Sequence, residues 1–230
     1  MSEVHANAYG ARPRPGAAGT YSSLAGIEPM LLGVGRPATA PDGPLWTAEI
    51  KYDGYRLLVA TADAGGSVRL QTRGGTDATR WYPELQALSA LPPKTVLDGE
   101  VCCLDDRGHP DFNTLHARSR RRRWSPGDAP AVYCAFDLLV LKGKDIRAWP
   151  LKRRKRELAK LLASPPPSTL YVTDLPGQVR WLYQQALERR LEGVVAKRLD
   201  SVYSSGQVSS QWLKIKRPGG TPKGRFRRDA

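Results

Sequence analysis

Cysteine is scarce in this 230-residue chain, with only Cys102, Cys103 and Cys134. An odd count without a C-x-x-C pair argues against a disulfide framework or a cysteine zinc site and points to a reducing compartment. No apolar run approaches the roughly 20 residues that a membrane helix needs, and no apolar signal-peptide core follows Met1. A glycine-rich Walker loop is missing too, so a nucleotide would have to be bound another way. Acidic residues are outnumbered: 22 Asp and Glu against 36 Lys and Arg give a formal net charge of +14 and a pI near 10.0. Such an excess is an electrostatic signal for a polyanion. It is also concentrated, with 14 Lys or Arg against 4 Asp or Glu between Arg118 and Lys160. A second cluster runs from Lys214 to Arg228. The densest run, Arg118, Arg120, Arg121, Arg122 and Arg123, is the expected nucleic-acid contact.

What is present is enough for a core, with 40% hydrophobic residues. Met1 to Gly26, rich in Ala, Gly, Pro and Ser, reads as a disordered arm (residues 1–26). One domain is expected over residues 27–218 and a flexible basic tail over 219–230. Within the domain, Gly33 to Pro44 reads as a loop. Strands are expected at Trp46–Ile50, Tyr55–Ala60, Ser67–Gln71, Thr95–Leu104, Ala131–Leu141, Leu170–Thr173, Gly193–Arg198 and Trp212–Lys216. Helices are expected from Tyr82 to Leu91, from Phe112 into the arginine cluster, and at Gln178–Leu187. A fourth, Leu151–Leu162, is amphipathic, with Lys152 to Arg156 on the face away from its leucines. Ser201 to Gln211 reads as a loop. Strands mixed with helices and hairpin-type connections indicate an α+β fold with antiparallel sheets.

The chain is organised around Glu49-Ile50-Lys51-Tyr52-Asp53-Gly54-Tyr55-Arg56. Asp-Gly between two strand-like runs signals a tight turn, and it places Lys51 at a strand end. An ordinary lysine, with a pKa of about 10.4, is protonated and cannot attack. Desolvation or a second cation such as Arg56 frees the amine as a nucleophile. Other strand ends and turns carry acids at Glu100 and Glu192 and cations at Arg73, Lys197, Lys214 and Lys216.

The ordered series Lys51-Tyr-Asp-Gly-Tyr-Arg56, Thr72-Arg-Gly, Leu97-Asp-Gly-Glu100, Phe136-Asp-Leu, Glu192-Gly-Val-Val-Ala-Lys197 and Trp212-Leu-Lys-Ile-Lys216 resembles the covalent nucleotidyltransferases. Within them it resembles the adenylation domain of ATP-dependent DNA ligases, and among those the ligase module of bacterial end-joining enzymes. The resemblance covers roughly Pro29 to Pro218. It implies two antiparallel sheets flanked by helices around a nucleotide cleft. ATP and Mg²⁺ (or Mn²⁺) would be the cofactors, and duplex DNA with nicks or breaks the partner, in repair within a bacterial cytoplasm at the nucleoid, with no membrane. Lys51 would carry AMP as a phosphoramidate, with Glu49 beside the adenine and Phe136 stacked on it. Arg56 and Glu100 would contact the ribose and nearby phosphate or metal. Glu192 would also serve the metal. Lys214 and Lys216 would serve the α-phosphate, Lys197 would join the nucleotide site, and Arg73 would hold the 5′-phosphate of a nick.

The chain departs from the family pattern after Lys216, where relatives continue into an OB-fold domain. Only 14 residues follow here. The expectation is no OB-fold domain, which leaves a minimal ligase, a partial enzyme completed by a protein partner that supplies the OB-fold role, or a chain that has lost activity. Two rival readings share these features: an RNA ligase or capping-type nucleotidyltransferase, and a non-catalytic DNA-binding accessory subunit.

Overall fold

The structure, a computed structural model, describes residues 19–219. Residues 1–18 of the expected arm and 220–230 of the expected tail lie outside the described residues. In chain order the first elements are β1 (Leu31–Val34), β2 (Trp46–Ile50), β3 (Tyr55–Thr61), β4 (Val68–Thr72), β5 (Val96–Cys103), α1 (Phe112–Arg120) and β6 (Ala131–Leu141). There follow β7 (Lys144–Asp145), α2 (Leu151–Leu161), β8 (Thr169–Tyr171), β9 (Leu175–Pro176), α3 (Val179–Glu188), β10 (Gly193–Arg198) and β11 (Val208–Lys216). Among the described residues no helix is long and apolar enough to cross a membrane.

The strands form two sheets. One has the order β1-β11-β10-β2-β9, and the other runs β4-β3-β5-β6-β7 with β8 against β6. Pairing is antiparallel as expected, except at β1 with β11 and β8 with β6, which are parallel. A buried cluster joins the sheets: Leu58, Ala60 and Leu139 of the second pack with Trp212 of the first and with Met30 and Tyr203 from the segments that lead into β1 and β11. The edges are short or covered. β7 and β9 have two residues each, and β9 ends in Pro176. The outer edge of β4 is closed by its own chain, since Thr72 N–H donates to Thr76 O at 2.9 Å and Ala78 N–H to Leu70 O at 2.8 Å.

Four expectations need correction. The Lys51 turn is not a hairpin, because β2 and β3 belong to different sheets and the turn is the crossover between them. The expected arm is folded from residue 19: Leu24 is buried, and Tyr21 hydrogen-bonds Ser67 at 3.0 Å. Strand pairing absorbs one end of each of two expected loops, since β1 extends into Gly33–Val34 of the first (Gly33 to Pro44) and β11 begins at Val208 within the second (Ser201 to Gln211). The helix expected from Tyr82 to Leu91 forms over Pro83–Ala90, as a 3-10 helix.

Candidate active site

Lys51 stands where the chain leaves one sheet for the other. Its N–H donates to Gly193 O at 3.0 Å, which ties the turn to β10. Gly54 is required by close approach: a Cβ there would lie 2.1 Å from Val101 O. On the other side, a Cβ on Gly193 would lie 2.1 Å from Ile215 O, and φ is +146°. Two glycines therefore let the turn and β10 close on β5 and β11 without a side chain between them.

The Lys51 Nζ donates to Glu192 Oε2 at 2.6 Å, and Lys216 Nζ lies 2.8 Å from Glu192 Oε1. Glu192 is buried beneath the two ammonium groups. Burial alone would raise its carboxyl, but Lys51 and Lys216 outweigh that and hold it below the usual range. Lys214 is lowered by burial and by Lys216, Lys51 and Arg73 around it. Glu100, opposite on β5, is pushed up to about 7 by burial, against the pull of Lys51 and Arg56.

Lys51, Arg56, Arg73, Glu100, Glu192, Lys214 and Lys216 all line one cleft of about 730 Å³, a size suited to a small-molecule ligand. Phe136 and Glu49 stand beyond that lining. Phe136 is half-buried, with the Arg56 guanidinium 5.2 Å and the Lys197 ammonium 4.4 Å from its ring centre. Lys197 also sits 4.1 Å from the Trp212 ring. It reaches Glu49 Oε2 at 2.5 Å, off the hydrogen-bonding angle. Burial lowers its ammonium, with Glu49 opposing.

Three supporting residues had no assigned role in the sequence. Asp98 grips Arg56 in a bidentate pair at 2.9 and 2.6 Å, and Tyr203 O–H donates to Asp98 at 2.6 Å. Lys155 donates to Glu49 Oε1 at 2.9 Å and to Val172 O at 2.6 Å. Lys155 was expected on the solvated face of α2, and it is buried instead. The signal was available: Leu151, Lys155, Leu158 and Leu162 recur at helical spacing on one face.

The arginine run divides. Arg118 is not a surface contact. It is 3% exposed, pairs with Glu84 at 2.6 and 2.8 Å, and donates to the carbonyls of Ala129 and Trp81. Its two terminal nitrogens are thereby committed inside the fold, and its Nε lies 4.0 Å from Asp128. Arg121 pairs with Asp128. Arg120 and Arg122 line the cleft, whereas Arg123 is exposed away from its lining.

Among the described residues no group of three or more His, Cys, Asp or Glu gathers as a metal cage. Two of the three cleft carboxylates, Glu100 and Glu192, instead fit Mg²⁺, which commonly takes one or two carboxylates together with substrate phosphates, and Asp53 is the third.

The model of the ATP dependent DNA ligase domain matches residues 38–216. The chain belongs to that family. As a ligase domain it is 39% identical over 174 residues to the multifunctional non-homologous end joining DNA repair protein LigD of Mycobacterium tuberculosis. That match takes 74% of this chain and 21% of the relative, so the chain spans about a fifth of that protein. The SPbeta prophage-derived DNA ligase-like protein LigB of Bacillus subtilis is 33% identical over 190 residues, covering 82% of this chain and 67% of LigB. The ligase domain also superposes on the solved ligase domain of M. tuberculosis LigD with a TM-score of 0.70 at 35% identity, over 83% of this chain and 60% of that one. A mycobacterial DNA ligase D complexed with ATP and MES matches equally, with a TM-score of 0.70.

Proposed function

We propose that this chain joins DNA strands through an adenylate on Lys51. The observation that carries the reading is Lys51 held at the sheet crossover by Glu192, facing Lys214, Lys216, Arg56 and Glu100 across one cleft. Before attack the Lys51 ammonium gives up a proton to solvent. Its lone pair then forms an N–P bond at the α-phosphorus of ATP, the bond to the bridging oxygen breaks, and pyrophosphate leaves. Lys214 and Lys216 neutralise charge that develops on the α-phosphate. Phe136 and Glu49 serve the base, with Lys197 and Lys155 fixing Glu49. Arg56 and Glu100 serve the ribose side. Glu100 and Glu192 would hold Mg²⁺, which would supply further charge neutralisation.

The adenylyl group next passes to a 5′-phosphate oxygen held by Arg73, which restores the Lys51 amine. Attack by a neighbouring 3′-hydroxyl seals the strand and releases AMP. The substrate is nicked or broken duplex DNA, which places the protein at a bacterial nucleoid.

Intact-mass spectrometry after incubation with ATP and Mg²⁺ tests the first step. One adenylyl group should appear on the wild type. Lys51→Ala should carry none, and neither should Lys51→Arg, because guanidinium stays protonated. An adduct of equal yield on Lys51→Ala would overturn the assignment.

A further inference from the structure

The cleft does not end at the nucleotide residues. Its lining continues past Arg73 to Trp81 and Tyr82 and on to Arg120 and Arg122. The last two come from one end of α1 and the turn after it. That turn is braced from below. Arg118 is locked to Glu84, whose Oε1 also accepts from Ala131 N–H at 2.7 Å. Asp128 pairs with Arg121 and accepts from Ser125 N–H at 2.7 Å. With the neighbours tied inward, Arg120 and Arg122 are left to face the cleft.

Two further observations separate this pair from a solvated helix end. Cations in a last helical turn complement the helix dipole, which accounts for Arg120. That argument does not reach Arg122, which lies beyond the helix with φ +52°, a left-handed conformation uncommon for a non-glycine residue. In addition, none of the ion pairs among the described residues involves Arg73, Arg120 or Arg122, while Arg118 and Arg121 each have a carboxylate. Three guanidinium groups without acidic partners therefore converge on one concavity. Guanidinium is the side chain suited to gripping phosphate oxygens two at a time. Half-buried Trp81 in the same lining offers a ring face for sugar or base, with Tyr82 fully buried beside it.

We propose that Arg120 and Arg122, with Arg73, form a phosphodiester subsite that holds the strand whose 5′-phosphate is adenylated. It rests on the strand-joining reading above. The subsite serves the steps that involve DNA and not the formation of the Lys51 adenylate. Its ligand is the nucleic-acid backbone, as distinct from the triphosphate of the nucleotide.

The test pairs two double variants of the full chain, Arg120→Gln/Arg122→Asn and Arg121→Gln/Arg123→Gln. Asn is chosen at position 122 because it tolerates the left-handed backbone. Binding to a fluorescent nicked duplex is followed by anisotropy across a salt series. Each lost phosphate contact should reduce the slope of log affinity against log salt by about 0.9, so the cleft pair should reduce it by about 1.8. Affinity should fall on the order of tenfold or more, and the joining of a pre-adenylated nick should slow in proportion. The Arg121/Arg123 variant should change each quantity much less.

Adenylate formation from ATP, measured by mass in the same preparations, should be unchanged in both variants, which also shows that they fold. Equal losses in the two variants, or an unchanged slope in the cleft variant, would overturn the subsite. A raised KM for ATP in the cleft variant would overturn it too, by assigning these arginines to the nucleotide. Should the double variant not fold, Arg120→Gln alone should reduce the slope by about 0.9. A wild type that makes no adenylate refutes the strand-joining reading, whereas the salt slopes judge the subsite separately.

Discussion

At the residue scale, Glu100 is where two physical effects oppose each other. Burial raises its carboxyl to about 7, and Lys51 and Arg56 limit the rise. A carboxyl that binds its proton more tightly when folded makes the fold less stable as pH increases. The penalty is absent below the ordinary carboxylate value of 4.5, grows between 4.5 and about 7, and is complete above that. Glu100→Gln removes the ionisable group. In metal-free buffer at pH 8 it should therefore be more stable than wild type by about 1–2 kcal/mol after allowance for solvent screening. At pH 4.5 the two proteins should melt together. Thermal melts at the two pH values check this, and a variant that is less stable than wild type at pH 8 refutes it. A variant that is more stable at pH 8 would show that the carboxylate is retained at a cost to stability, for function.

Among elements, α2 is the one whose sequence misleads most. It was expected to present Lys152 to Arg156 to solvent, yet Arg154 is fully buried in a pair with Asp137 of β6 at 2.9 Å. Arg154 also donates to the carbonyls of Trp149 and Ser201. Removing one partner of such a pair strands a buried charge and costs about 3–5 kcal/mol. Arg154→Met should show that loss in urea unfolding, and adding Asp137→Asn should recover part of it. No recovery in the double variant would mean that the helix is held by its leucines instead.

Strand positions were legible because period-2 apolar runs and turn residues are local signals, and the order of the six motifs located the cleft walls. The crossover at Lys51 was not legible. Asp-Gly reports a change of direction and carries no information on which sheet receives the next strand. The parallel pairing of β1 with β11 joins residues far apart in sequence, which no local pattern encodes. In the arginine run, burial of Arg118 depends on Glu84, a partner 34 residues away.

For the whole molecule, the two sheets are held together by Trp212, which is fully buried with its ring edge-on to Phe136 and Tyr203. Its indole N–H donates to Ser201 Oγ at 3.0 Å. One shared core predicts one unfolding transition, with tryptophan fluorescence and circular dichroism coinciding through the urea titration. Trp212→Ala should cost about 3–5 kcal/mol and weaken nucleotide binding, since it also releases Phe136 and Lys197. Separate transitions for the two probes in wild type would show that each sheet folds alone.

The brevity of the outer strands carries a consequence for behaviour in a crowded solution. A long bare strand invites a second molecule to add to the sheet, which is a common route to aggregation. Here β7 and β9 offer two residues each, Pro176 ends β9, and the Thr76–Ala78 segment already occupies the rim of β4. Copies that also repel one another through a net charge of +14 have little through which to stick. Concentrated protein should stay dispersed at low salt without help from a ligand.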